Sequence, residues 1–361
     1  MKGRIRKRMV ISLLSLILIL GSCHMFLEYK QRILEQPVNS NMDSGELLIP
    51  GGMPVGIYME TKGVLVLGLQ EIECNDGSRS IPGRHLIKDG DYIVGLDAER
   101  INNKKELSEK VKKIKSDTTV VKIRRKNEEI QVKIHPVKDK KENTKLGIWV
   151  RDNVQGLGTV TYLKTDSSFG ALGHGLHDSD TGTLMEISDG KVYDTYIQDI
   201  KKGEIGKTGG MEGIIVYNNQ NVLGTIEKNT EQGIFGRIDK TERVFKEKKA
   251  IPAAKREEVR TGGAVIRCTI DGQTEDYKIK IVKTDHDSGE KNRGMELKIT
   301  DENLLKKTGG VIQGMSGSPI IQDGKIVGAV THVLVNDPTR GYGIFIENML
   351  EAENDKIPKC S

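Results

Sequence analysis

Residues 314–332 constrain the fold more than any other stretch of this chain. Gly314-Met315-Ser316-Gly317-Ser318-Pro319 opens into the apolar run Pro319-Ile320-Ile321-Gln322, then Asp323-Gly324, then Lys325-Ile326-Val327-Gly328-Ala329-Val330-Thr331-His332. Two apolar runs joined by Asp-Gly specify an antiparallel β-hairpin. The loop that feeds it has glycine on either side of a serine, so its backbone can adopt φ values closed to other residues and approach a substrate closely. Ser316 is therefore a candidate nucleophile. The amides of Gly314 and Ser316 are candidates for an oxyanion hole, a pair of donors aimed at charge that develops during acyl transfer.

A serine hydroxyl needs a base. Far upstream, Phe169-Gly170-Ala171-Leu172-Gly173-His174-Gly175 sets a histidine among small residues, and the fold is expected to bring His174 to Ser316, as a serine peptidase requires. The 314–319 loop resembles the Gly-Asp-Ser-Gly-Gly-Pro loop of trypsin-like double-barrel proteases, with Met315 in place of the aspartate and Ser318 in place of the second glycine. His332 alternates with Val330 and Leu334, which reads as a core histidine.

Glycine-punctuated strands fill 146–350: Leu146–Val150, Gly158–Leu163, Leu184–Ile187, Ile214–Val216, Val222–Ile226, Gly263–Ile270, Tyr277–Val282, Met295–Ile299 and the hairpin. Many short strands at even spacing suit a barrel or sandwich. One helical tract, 301–307, is capped by Asp301 or Thr300 and stopped by Gly309-Gly310. Residues 50–136 resemble a PDZ domain of the protease-associated bacterial kind. The marks are the Asp89-Gly90-Asp91-x-Ile93 turn, the helix start at 102–107 and a closing hairpin. In that family a Φ-Gly-Φ loop holds a peptide's terminal carboxylate, and Val55-Gly56-Ile57 is the matching segment. Residues 137–145 read as a charged linker.

The formal net charge is +5, and Lys2, Arg4, Arg6, Lys7 and Arg8 account for five positive charges. The remainder is balanced and holds five phenylalanines, with no basic face or aromatic-basic stripe for nucleic acid. The basic start precedes the apolar run Met9–Leu20, which fits a signal-peptide core or short anchor and implies export. Leu20-Gly21-Ser22-Cys23 also fits a lipoprotein cleavage box; lipidated Cys23 and an uncleaved anchor both stay open. Cys74, Cys268 and Cys360 are too scattered for a disulfide framework or a metal site. His174 and His177 sit three apart, but glycines 173 and 175 argue against a helix that would align them on zinc. No metal or cofactor is expected.

Gly147-Ile148-Trp149-Val150-Arg151-Asp152, Phe169–His174 and Thr308–Pro319 resemble the stage IV sporulation protein B family, and Thr331-His332-Val333, Asn336-Asp337-Pro338 and Gly341-Tyr342-Gly343 continue the likeness. The resemblance implies a mainly β protein: anchor 1–27, tether 28–48, PDZ domain 50–136, and a trypsin-like double β-barrel serine peptidase domain 146–353. It implies catalytic residues His174, Ser316 and Asp301, the last fifteen residues before the serine. Asp301 reads equally as a helix N-cap, and Asp178 and Asp180 are substitutes for its catalytic role. The implied activity is that of an exported peptidase in the space between the forespore membranes. Its implied partner is a regulatory membrane protein, whose cleavage activates the intramembrane protease that processes the late mother-cell sigma factor. Peptide C-termini, or the chain's own tether, are the expected PDZ ligands. Two alternatives are a non-catalytic PDZ adaptor and a processing protease with a Ser/Lys dyad, for which Lys325 is the available lysine. Arg340 is the one charged residue in 338–343 that bears on an S1 pocket. The exposed polar tether, held near its own active site, is an expected site of self-cleavage between Glu28 and Ile49.

Overall fold

The computed structural model describes residues 45–245 and 249–355. The expected anchor, most of the tether, Cys23 and Cys360 lie outside them. Among the described residues no helix is long and apolar enough to cross a membrane.

Strand β1 (Leu47–Pro50) leads into the 16-residue β2 (Pro54–Leu69). Then come β3 (Tyr92–Leu96), helix α1 (Lys104–Val111), β4 (Thr119–Arg125), β5 (Glu128–Ile134) and a second 16-residue strand, β6 (Ile148–Leu163). The second half of β2 joins β3, β4 and β5 in an antiparallel sheet. Val64, Val66, Ile93, Val121 and Ile123 of that sheet bury against Leu107 of α1. Asn103 caps α1 by accepting from the Glu106 amide, as Asn at this position does in preference to its own turn. The Asp89-Gly90-Asp91 turn is fixed by Arg125, whose guanidinium binds both oxygens of the buried Asp91 at 2.7 Å.

The next strands are β7 (Ser168–Ala171), β8 (Ile187–Tyr193), β9 (Thr195–Lys201), β10 (Gly210–Ile215), β11 (Val222–Thr230) and β12 (Gly233–Ile238). The first half of β2 pairs with β6 on one edge and β8 on the other. Pairings β8–β11, β11–β12, β12–β7 and β7–β6 then close a ring of six strands. Val55, Ile57, Met59, Val160, Phe169 and Ile234 fill it.

A second closed barrel follows, made of β13 (Gly262–Ile270), β14 (Gln273–Thr284), β15 (Met295–Ile299), β16 (Pro319–Gln322), β17 (Lys325–Leu334) and β18 (Asp337–Phe345). Helix α2 (Glu302–Thr308) precedes the nucleophile loop. Helix α3 (Ile346–Asn354) buries Ile346 and Met349 among Tyr162 and Phe235 of the first ring and Ile326 and Ile344 of the second. Each such side chain stabilises the joint by about 1.5–3 kcal/mol.

Three boundaries differ from the sequence reading. Leu47–Pro50 is a strand, paired with 251–252 and with the end of β6, and Leu48 is fully buried, so Leu47 and Leu48, the last residues of the expected tether, are not tether. The two strands expected at 146–150 and 158–163 are one continuous strand. Residues 54–59, expected in the PDZ region, belong to the first ring.

Candidate active site

Ser316 sits on a loop held at three places. Within the loop, the Met315 amide donates to Ile312 O (3.1 Å) and the Ser318 amide to Met315 O (2.9 Å). Toward β17, Gly317 N donates to Val330 O and Val330 N to Ser318 O. Toward β6, Thr159 N donates to Ser316 O (3.0 Å) and Thr159 Oγ1 to Gly314 O (2.7 Å). The fully buried Met315 side chain pins the loop into the second barrel. Gly317 has φ +95°, and a Cβ there would stand 2.0 Å from Thr159 O; the position admits only glycine. The amides of Gly314 and Ser316 donate to no acceptor among the described residues, which leaves both free for an oxyanion.

The His174 loop meets this one across the same strand. Leu172 N donates to Thr159 O (3.2 Å), so a single threonine bonds both loops. A Cβ on Gly173 would stand 2.9 Å from Thr331 Cγ2 and Ile344 Cγ2, and one on Gly175 would stand 2.5 Å from Thr230 O. Small residues flank the histidine because the second barrel and β11 crowd its backbone on both sides. Ser316 Oγ donates to Thr331 O at 2.8 Å, and Thr331 adjoins His332, whose ring centroid lies 5.3 Å from that of His174. The structure thus brings Ser316, His174 and His332 together.

His174 Nδ1 lies 2.9 Å from Gly175 O. A carbonyl oxygen only accepts, so Nδ1 carries the proton and Nε2 keeps its lone pair. That is the tautomer a general base needs. Burial lowers the His174 pKa, the Gly175 carbonyl partly opposes this, and neighbouring His177 adds to the lowering. His177 also reaches Gly175 O with Nδ1 (3.1 Å) and Glu231 with Nε2 (3.1 Å). The His332 pKa is pushed down to about 4, chiefly by burial and then by His174.

Several expectations require correction. No hydrogen bond or ion pair joins Asp301 to His174 among the described residues. Asp301 Oδ1 accepts from the amides of Asn303 and Leu304 (3.1 Å each) and its Oδ2 from the Lys278 amide (3.3 Å), which makes it the N-cap of α2. Neither substitute carboxylate takes its place: Asp178 accepts from Asp180 N and Thr181 N and pairs with Arg151, which also binds Asp180 at 2.8 Å. His332 is not a core residue but a half-buried neighbour of His174. Lys325 pairs with Glu258 and Arg340 with Glu296, so neither contributes a free charge to the site. Val55, Gly56 and Ile57 cannot receive a peptide: Val55 and Ile57 are buried, and Gly56 is paired with Leu157 on one edge and Tyr193 on the other. Sequence reasoning missed Thr159, whose only signal is the glycine that precedes it, Gly158.

The sequence profile described as SpoIVB peptidase S55 matches residues 142–350. No curated protein sequence matches the chain. Among solved structures, the Rv3671c protease of M. tuberculosis in its active form is 15% identical over 58% of this chain and 77% of that one, with a TM-score of 0.30. Its inactive form is 13% identical over 56% and 85%, with a TM-score of 0.28. The PDZ domain of an SdrC-like protein from Listeria monocytogenes is 22% identical over 25% of this chain and 87% of that one, with a TM-score of 0.20.

Proposed function

Because this chain belongs to the SpoIVB peptidase S55 family and is a serine peptidase, we propose that Ser316 and His174 are its catalytic pair, set in a trypsin-like double barrel. The observation that carries this reading is the double attachment of Thr159, which holds the serine loop and the histidine loop against one strand. Ser316 Oγ turns from Thr331 O toward His174, loses its proton to Nε2 and attacks the scissile carbonyl carbon. The oxyanion that forms takes hydrogen bonds from the amides of Gly314 and Ser316. The protonated imidazole then gives its proton to the leaving amine as the C–N bond breaks, leaving an acyl-serine that water hydrolyses with His174 again as base. The Gly175 carbonyl orients the imidazole, the task a carboxylate performs in a triad.

The module built on β3, β4, β5 and α1 is read as a PDZ domain, supported by its Asp-Gly-Asp turn, capped helix and hairpin. The substrate is read as a regulatory membrane protein of a sporulation signalling complex, with the enzyme exported to the space between the forespore membranes. Cleavage there activates the intramembrane protease that processes the late mother-cell sigma factor. Since residues 47–50 are locked into β1, self-release falls N-terminal to Glu46. Hydrolysis of labelled casein by the purified full chain tests the catalytic pair. Ser316→Ala and His174→Ala are each expected to reduce turnover by about 10³-fold or more. Turnover within tenfold of wild type in either variant rules that residue out.

A further inference from the structure

The first ring and the module built on β3, β4 and β5 share strand β2, and a cavity of about 390 Å³ opens where β2 passes between them. Up to Thr61, β2 pairs with β8, opposite Ile187. From Val64 it pairs with β3, opposite Ile93. Gly63 makes the crossing at φ +97°, and a Cβ there would stand 2.9 Å from Ile93 O. The ring contributes Ile187 and Ser188 to the cavity wall, the crossing contributes Lys62, and the module contributes Arg100 and Arg124. A ligand held there touches the ring and the module at once.

Every charged residue that lines this cavity is a cation: Lys62, Arg100 and Arg124. Like charges gathered around one space repel, and the fold pairs one of the three. Arg124 is 9% exposed, donates to Lys62 O (2.6 Å) and pairs with Glu186 (2.8 Å). Its Nε is buried without an acceptor, although buried donors nearly always find one. Lys62 and Arg100 make no ion pair among the described residues. The carboxylates around the cavity are engaged elsewhere, Glu99 by Lys110 (2.8 Å) and Glu106 by Asn102 and Asn103. In the adjoining space, Lys122 is offset by Glu129.

Two unpaired cations and a leftover guanidinium donor match an anion of two charges. An arginine fork fits phosphate oxygens two at a time. The space is larger than one phosphate ion and admits a second phosphoryl or a small organic group. None of the exposed large apolar side chains lines it, so it offers a bilayer nothing to insert. We propose that this cavity binds a soluble dianion of the phosphate class, a diphosphate or a phosphate monoester, and that the bound anion clamps the module to the first ring. The proposal is independent of which residues catalyse.

Isothermal titration calorimetry on full-length Ser316→Ala measures binding of inorganic pyrophosphate at about 0.15 M ionic strength, where distant exposed charges are screened. One site per chain is expected, and Lys62→Gln/Arg100→Gln is expected to weaken it about tenfold or more. Lys280→Gln/Lys298→Gln removes two exposed charges from the second barrel and is expected to leave the affinity within about twofold. Hydrogen exchange on the same protein reads the clamp. With pyrophosphate, the amides of 60–66 and 186–190 are expected to exchange about threefold or more slowly, and those of the second barrel at an unchanged rate. No binding, or an equal loss in both double variants, overturns the site. Binding that leaves the exchange unchanged overturns the clamp. Co-sedimentation with phosphatidic acid vesicles that is lost in Lys62→Gln/Arg100→Gln overturns the soluble ligand in favour of a lipid headgroup.

Discussion

Thr159 decides more at the site than its side chain's size suggests. Its three backbone and side-chain bonds fix the Gly314 carbonyl, the Ser316 carbonyl and the Leu172 amide at once. Thr159→Val keeps the shape but strands the Gly314 carbonyl, and loss of one such bond costs about 1–2 kcal/mol; turnover is expected to fall about tenfold with the fold retained by circular dichroism. Gly317→Ala has no such margin, because its Cβ would meet Thr159 O at 2.0 Å, and it is expected to abolish turnover and lower Tm. Asp301→Ala is expected to cost about 1 kcal/mol of stability through the lost cap while turnover stays within twofold, since among the described residues the carboxylate bonds only to the amides of Asn303, Leu304 and Lys278. His332 has its pKa lowered to about 4 in the fold, against about 6.5 when unfolded. The unfolded chain then takes up the proton first as pH falls, so this residue's contribution is present above pH 6.5 and is lost between 6.5 and 4. His332→Gln is expected to flatten the dependence of Tm on pH in that window. His174, also lowered, stays a neutral base below pH 6.5, so the acid limb of turnover is expected below that value.

At the scale of elements, the sequence showed what local chemistry dictates. The hairpin of β16 and β17, the capped helices α1 and α2, and β15 at Met295–Ile299 all follow from turn residues, caps and alternation. What escaped depends on partners distant in the chain. Leu146–Val150 and Gly158–Leu163 read as two strands, yet β6 runs through unbroken, packed so that a Cβ on Gly158 would stand 2.1 Å from Leu172 Cδ2. His332 was read by parity from Val330, but the β17–β18 register shifts between those residues. A bulge resets which side chains face inward, and it turns His332 toward His174. The Φ-Gly-Φ pattern at 55–57 was legible as a pattern and uninformative about its neighbours, since a strand paired on both edges carries the same residues as one paired on a single edge.

At the scale of the whole molecule, two closed six-stranded rings meet at the His174 and Ser316 loops and are fastened by α3. His174 comes from the first ring and Ser316 from the second, so the proposed catalytic pair exists only when both are folded and docked. The motifs in 169–175 and 314–319 pointed to the proposed pair, but not to its orientation, because the orienting groups are a backbone carbonyl and a strand threonine with no motif of their own. The most direct measurement is mass-spectrometric mapping of a fluorophosphonate adduct on the full chain after proteolysis. The account predicts a single adduct on Ser316, within the tryptic peptide 308–325, absent from Ser316→Ala and slowed by about 10²-fold or more in His174→Ala. An adduct on another serine, or one that persists in Ser316→Ala, contradicts it.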